Sequence, residues 1–132
     1  MDSTQLEAYF RETAGSGILS TASSDGRVNS ALYAKPRFFE DGSVAFIMLD
    51  RLSHHYVDSN PYAAYLFLEE GNGYRGVRLH LRKTGEELNT PRIEELLSEA
   101  GRGYVGNKDR YLVFFTIEKV LPLVSPAQDN AS

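Results

Sequence analysis

Residues 45–70, AFIMLDRLSHHYVDSNPYAAYLFLEE, decide the fold. The apolar run Ala45, Phe46, Ile47, Met48 and Leu49 has the length and composition of a strand. The polar run that follows it predicts a helix of about two to three turns capped by Asp50. Asn60-Pro61 ends that helix, because a residue before proline is steered out of the α region. A second apolar strand, 62–69, begins there. The stretch therefore sets the positive end of a short helix, an arginine, a serine and two histidines at the open end of a hydrophobic sheet, where an anionic ligand can sit.

The rest of the chain frames this stretch as part of one small domain. At 132 residues, with 42% hydrophobic and 24% charged residues, it is long enough to bury a core without staples. One domain over residues 1–124 and a frayed tail over 125–132 are expected. No apolar run approaches the length of a membrane span, and the acidic, helix-like start MDSTQLEAYFRE is not a leader, so a soluble cytoplasmic protein is expected. The absence of cysteine excludes disulfides, thiolate metal sites and cysteine nucleophiles. A net charge of −4 argues against a nucleic-acid partner, which needs concentrated positive surface.

Outward from the central stretch, the period of the apolar residues changes several times. Thr4 and Glu7 have capping-box spacing, and Leu6, Phe10 and Thr13 follow at helical spacing up to Gly15. Strand-like runs then cover 18–23, 28–39 and 43–49, separated by Asp25-Gly26 and Asp41-Gly42, which suit type I′ turns. These three strands are expected to form an antiparallel meander. In the run 74–83, Val77, Leu79 and Leu81 alternate with Arg78, His80 and Arg82, giving one core face and one cationic face. Thr90-Pro91 starts a second helix with Ile93, Leu96, Leu97 and Ala100 on its apolar side and Gly101 as its stop. A last strand covers 111–120.

Six strands with hairpin turns and short flanking helices predict a mainly β, α+β fold: a small six-stranded antiparallel barrel with helices at its ends. The strand 62–69 is apolar on both faces, with Ala63, Tyr65 and Phe67 on one and Tyr62, Ala64, Leu66 and Leu68 on the other. A barrel this small buries only one face of each strand. The second needs a helix or another subunit, and a homodimer is expected.

Along the second strand Asn29, Ala31, Tyr33, Lys35 and Arg37 form the more polar face, expected to be the wet one. With Arg51, Arg78, His80 and Arg82 it gathers much of the basic charge of an acidic chain. If the second strand, the fifth strand and the helix start converge, they form a site for a phosphate. Alternating cations on a strand are equally the mark of a solvated face, and the choice stays open for Arg78 and Arg82. No metal site is expected, since adjacent histidines on a helix point about 100° apart and no HExxH or HxH spacing is present. Ser53, His54 and Asp58 lie on one short helix without a GxSxG elbow, which argues against a hydrolytic triad. GNGYRG lacks the Lys-Ser/Thr ending of a phosphate loop and suits a hairpin turn.

Three motifs, ILSTASSDGRVNSALY, GSVAFIMLDRLSHHYVDSNPYAAYLFLEE and GYRGVRLHLR, together resemble the FMN-binding split-barrel family that includes pyridoxamine 5′-phosphate oxidase. The resemblance covers residues 17–121. It implies a six-stranded antiparallel Greek-key split β-barrel, a homodimer with FMN sites at the subunit interface, and a flavin-dependent oxidoreductase or flavin carrier. It points to Tyr33 and Lys35 on the second strand, to the main chain of Phe46, Ile47 and Met48 along the flavin ring, and to Arg51, Ser53 and His54 at the phosphate. Many members carry a lysine where Ser53 stands. The ending VLPLVSPAQDNAS lacks the oxidase's arginine-rich closing segment, so the vitamin oxidase itself is not expected. Two alternatives share the barrel: a non-catalytic ligand binder, for haem through His54, His55 or His80, and a deazaflavin (F420) enzyme. No catalytic acid or base stands out.

Overall fold

The structure is a computed structural model that describes residues 1–99, 101 and 108–124. Ala100 and the tail 125–132 lie outside the described residues. Helix α1 (Ser3–Glu12) is capped by Asp2, whose carboxylate accepts from the Gln5 N–H at 2.8 Å while Gln5 Oε1 accepts from the Asp2 N–H at 2.9 Å. The reciprocal cap thus forms two residues before the expected Thr4 and Glu7. Asp2 is extended there, whereas Thr4 already lies inside the helix.

Seven strands follow, not six: β1 (Gly15–Ala22), β2 (Val28–Tyr33), β3 (Arg37–Phe38), β4 (Val44–Leu49), β5 (Tyr62–Glu69), β6 (Gly76–Leu88) and β7 (Arg110–Pro122). Helix α2 (Leu52–Ser59) joins β4 to β5, and α3 (Pro91–Glu99) lies between β6 and β7. The extra strand arises because the run 28–39 breaks at Ala34-Lys35-Pro36. Proline offers no N–H to a ladder and restricts the residue before it.

The sheet order is β2-β1-β5-β6-β7-β4-β3, with every pair antiparallel. The expected meander is therefore two separate hairpins, β1–β2 and β3–β4, at opposite ends of the sheet. Among the described residues no ladder joins those ends, and the sheet curls into a half-barrel closed by side chains. Tyr65 on β5 points through the core, and its hydroxyl lies 3.2 Å from the carbonyl oxygens of both Tyr33 and Ala34. The Tyr33 ring meets Phe46 of β4 edge to face at 5.9 Å. Leu19, Phe46, Met48, Phe67, Leu79, Leu81 and Phe115 fill the interior with Leu6 and Phe10 of α1.

The outer face is divided. Over β4 and β7 it is covered by α3, whose Ile93, Leu96 and Leu97 pack on Ala45, Ile47, Leu112 and Phe114. Arg92 lies over the Phe39 and Phe114 rings, and Arg37 donates to the Leu96 carbonyl at 3.0 Å. Over β2, β1 and β5 nothing among the described residues covers Leu32, Ile18 and Leu66, which stand in register across three strands. Tyr62, Leu68 and Val28 extend this apolar surface. No helix among the described residues is long and apolar enough to cross a membrane.

Gly17 shows how tightly Tyr65 is held: a Cβ there would lie 1.8 Å from the Tyr65 hydroxyl oxygen. Replacing it forces either the ring or β1 to move. Gly17→Ala is expected to lower stability by about 1–3 kcal/mol in chemical denaturation. Gly85→Ala, where nothing lies within 4 Å, should leave the midpoint nearly unchanged.

Candidate functional site

The chain leaves β4 in a tight turn, with the Arg51 N–H donating to the Leu49 carbonyl at 2.8 Å. Arg51, not Asp50, is the N-cap of α2, with φ −134° and ψ −171° and no side-chain cap bond. Asp50 stands one residue too early, and its carboxylate turns to His55 Nε2 at 3.0 Å. The first bond of the helix runs from the His55 N–H to the Arg51 carbonyl at 3.0 Å. The N–H groups of Leu52, Ser53 and His54 precede it and have no acceptor within the helix. A helix N-terminus with a cation in place of an acceptor cap attracts anions.

Three side chains of β1 and β2 face this turn. Ser53 is 5% exposed, and its hydroxyl oxygen accepts from Asn29 Nδ2 at 3.4 Å. Tyr33 belongs to the same group. Burial pushes its phenol above the ordinary value, while a hydrogen bond with Ser53 and the Arg51 charge pull the other way. Thr21 stands directly across from Asn29 in the β1–β2 ladder, 3% exposed, and its hydroxyl has no hydrogen-bond partner among the described residues. The orphaned hydroxyl and the uncapped helix start fit an acidic, oxygen-rich group such as a phosphate ester.

The face of β2 carrying these groups is the inner one, which corrects the sequence expectation. Asn29, Ala31 and Tyr33 are half-buried, whereas Val28 and Leu32 are 81% and 79% exposed. The polar side chains point inward because the split barrel's open edge meets the polar first turn of α2 there. The apolar ones belong to the bare outer face.

The other anticipated residues are distributed as follows. Lys35 donates its Nζ proton to the Phe10 carbonyl at 2.7 Å, capping the end of α1 rather than facing α2. Phe46 and Met48 point into the core and Ile47 outward beneath α3. The main chain of these three residues pairs with β7 on one side. On the other, β3 reaches only Val44 and Ala45, so this edge of β4 carries no strand. Arg78 stands on the outer face, where its Nε donates to the Pro122 carbonyl at 2.8 Å. It is not brought to the helix start. Sequence reasoning missed Thr21, whose place opposite Asn29 across the Asp25-Gly26 hairpin was the available signal, and it named Asn29 on the polar face of β2 without assigning it to the phosphate.

His54 turns to the other side of α2. Its ring stacks on Tyr111 with centroids 3.7 Å apart and 20° between planes, and Nε2 lies 2.9 Å from Glu86 Oε1. Glu86 arrives there because β6 continues past the expected end at Lys83 to pair with β7 as far as Leu88. Lys83 Nζ bonds both Glu86 Oε1 at 2.7 Å and Asp58 Oδ1 at 3.0 Å. Burial opposes the charge on Glu86, yet its bonds with Lys83 and His54 hold its carboxyl below the ordinary value. The Lys83 bond does the same for Asp58. The His54 and His55 rings diverge, 6.3 Å apart at 82°.

No protein-family model matches the sequence and no curated protein matches it; the likeness is in the fold. The architecture is the split barrel of the pyridoxamine 5′-phosphate oxidase-like proteins. An FMN-binding protein from Syntrophomonas wolfei superposes with a TM-score of 0.73 at 20% identity, over 96% of this chain and 90% of that one. HutZ, the haem storage protein from Vibrio cholerae, gives 0.64 at 11% identity over 92% and 96%. An F420 reductase gives 0.58 at 17% identity over 83% and 90%.

The Tyr33, Ser53 and Arg51 grouping has a titration consequence. The raised phenol means that the stability Tyr33 contributes is present below its ordinary pKa of 10.0 and is lost as pH rises through the raised value. Ser53→Ala and Arg51→Ala each remove an influence that lowers this pKa. Ring-labelled tyrosine NMR should therefore show Tyr33 titrating later in both variants. An unchanged titration would separate the three residues.

Proposed function

We propose that this protein binds FMN and acts as a flavin-dependent oxidoreductase or flavin carrier. The observation that carries the reading is the uncapped start of α2, where Arg51, Ser53, Asn29 and Tyr33 come together beside the orphaned hydroxyl of Thr21. This group holds the phosphate: Arg51 supplies charge, the free N–H groups and Ser53 supply donors, and Tyr33 bounds the group on the β2 side. The strand-free edge of β4 at Phe46, Ile47 and Met48 offers main-chain donors and acceptors to a heteroaromatic ring. The arginine does the work of the lysine that many split-barrel flavoproteins carry at the Ser53 position. FMN, when bound, supplies one- and two-electron transfer, and the chain supplies binding and orientation. Haem is the weaker candidate, because His54 is engaged by Glu86 and Tyr111, and His80 lies on the outer face.

A second copy of the chain covers the bare outer face of β2, β1 and β5. The support is its composition: α3 covers β4 and β7, and Leu32, Ile18 and Leu66 form an apolar row over which no helix of the described residues lies.

Titration monitored by flavin fluorescence, with F420 alongside, tests the first reading. FMN is expected to bind, and Arg51→Ala to weaken it about 10- to 100-fold, the loss of one charge-assisted bond to phosphate. A chain that takes up no FMN would sink the reading, and preference for F420 would redirect it. Leu32→Glu is expected to convert a dimer to a monomer in light scattering; a wild-type monomer contradicts the dimer.

A further inference from the structure

The phosphate site uses one side of α2 and leaves His54 and Asp58, one helical turn apart, facing β6. We propose that His54, Asp58 and Glu86 form a binding site for a divalent transition-metal ion of the zinc type, with Lys83 holding the cation's place when the ion is absent. Their ligand atoms, one nitrogen and two oxygens, all lie within 4.8 Å of one another. An ion about 2.0–2.2 Å from each donor sets the donors about 3.4 Å apart, so the widest separation closes by about 1.4 Å through the exposed Asp58 side chain while the His54–Glu86 pair opens slightly.

The support around the histidine is what distinguishes this cluster from a surface group of acids. His54 is 4% exposed and its ring plane is fixed by Tyr111, so Nε2 is presented in one direction, toward Glu86. Asp50 Oδ1 stands 3.9 Å from the opposite ring nitrogen, Nδ1, beyond hydrogen-bond distance, and is held instead by His55 Nε2 at 3.0 Å. The donor set is one imidazole and two carboxylates, which suits zinc and its late first-row neighbours better than calcium or magnesium. Water reaches the exposed side at Asp58 and completes the coordination.

Lys83 is the structure's own evidence that this position favours a cation. Its ammonium lies 2.7 Å from Glu86 and 3.0 Å from Asp58, bridging the two carboxylates. An incoming ion has to displace this ammonium, and the flexible side chain can swing to solvent. The lysine thereby sets the affinity. The site goes beyond the flavin reading and does not depend on it, since none of its ligands is needed at the phosphate.

The test is a Co2+ titration of the chelator-treated full chain, followed by displacement with Zn2+. One equivalent is expected to give visible d–d absorption that Zn2+ removes. Glu86→Gln and Asp58→Asn should each weaken binding at least about tenfold, and Lys83→Met should strengthen it by a similar factor. Asp58 is exposed, so its variant keeps the fold testable if Glu86→Gln does not fold by circular dichroism. No absorption from the wild-type chain overturns the proposal. Unchanged Co2+ affinity in the folded carboxylate variants also overturns it, because the ion then lies elsewhere.

Discussion

The side-chain closure centred on Tyr65 is the constraint on which the rest of the structure depends. The sheet's two ends share no backbone ladder among the described residues, so something other than main-chain pairing has to hold β2 against β4. Tyr65 does this from the middle of the core, with its ring packed on Phe46 and Phe10 and its hydroxyl at the carbonyls of Tyr33 and Ala34. A buried phenol needs a partner, and β2 has carbonyls to offer where it ends. Gly17 leaves the space for that hydroxyl. Because the seam is closed by side chains, the inner edge of β4 beyond Ala45 stays unpaired and the end of β2 faces the start of α2.

Helix α2 has different chemistry on its two sides. Its first turn lacks the acceptor cap that would satisfy its N–H groups, and it carries Arg51 where an Asp or Ser would ordinarily stabilise the end. The helix therefore forgoes about 1 kcal/mol of capping and exposes donors to whatever binds. On the side facing β6, by contrast, His54 is paired with Glu86, and both Asp58 and Glu86 are paired with Lys83. That network anchors the helix, so the unsatisfied first turn is held in a fixed place.

Much of this was legible in the sequence because burial imposes periodicity. The alternation of Val77, Leu79 and Leu81 with Arg78, His80 and Arg82 gave the inner and outer faces of β6 correctly, and Asn60-Pro61 marked the end of α2. The errors have a common cause, in that local pattern does not report tertiary partners. Polar residues on β2 suggested a wet face, yet they point inward because a polar helix start meets them there. The fifth strand was expected to end at Lys83, yet β7 extends the ladder and carries Glu86 to His54. Pro36 was the visible sign that 28–39 could not remain one strand. Within the site, Arg51 and Ser53 were anticipated together with Tyr33, whereas Lys35 is committed to the end of α1 and Arg78 to the outer face.

The central claim is that the start of α2 recognises a phosphate, and comparing FMN with riboflavin isolates that group because the two differ only in the phosphate. Binding of both to the wild-type chain, followed by isothermal calorimetry, is predicted to show FMN at least about a hundredfold tighter, the contribution of two charge-assisted bonds. Equal affinity for the two flavins would contradict the account.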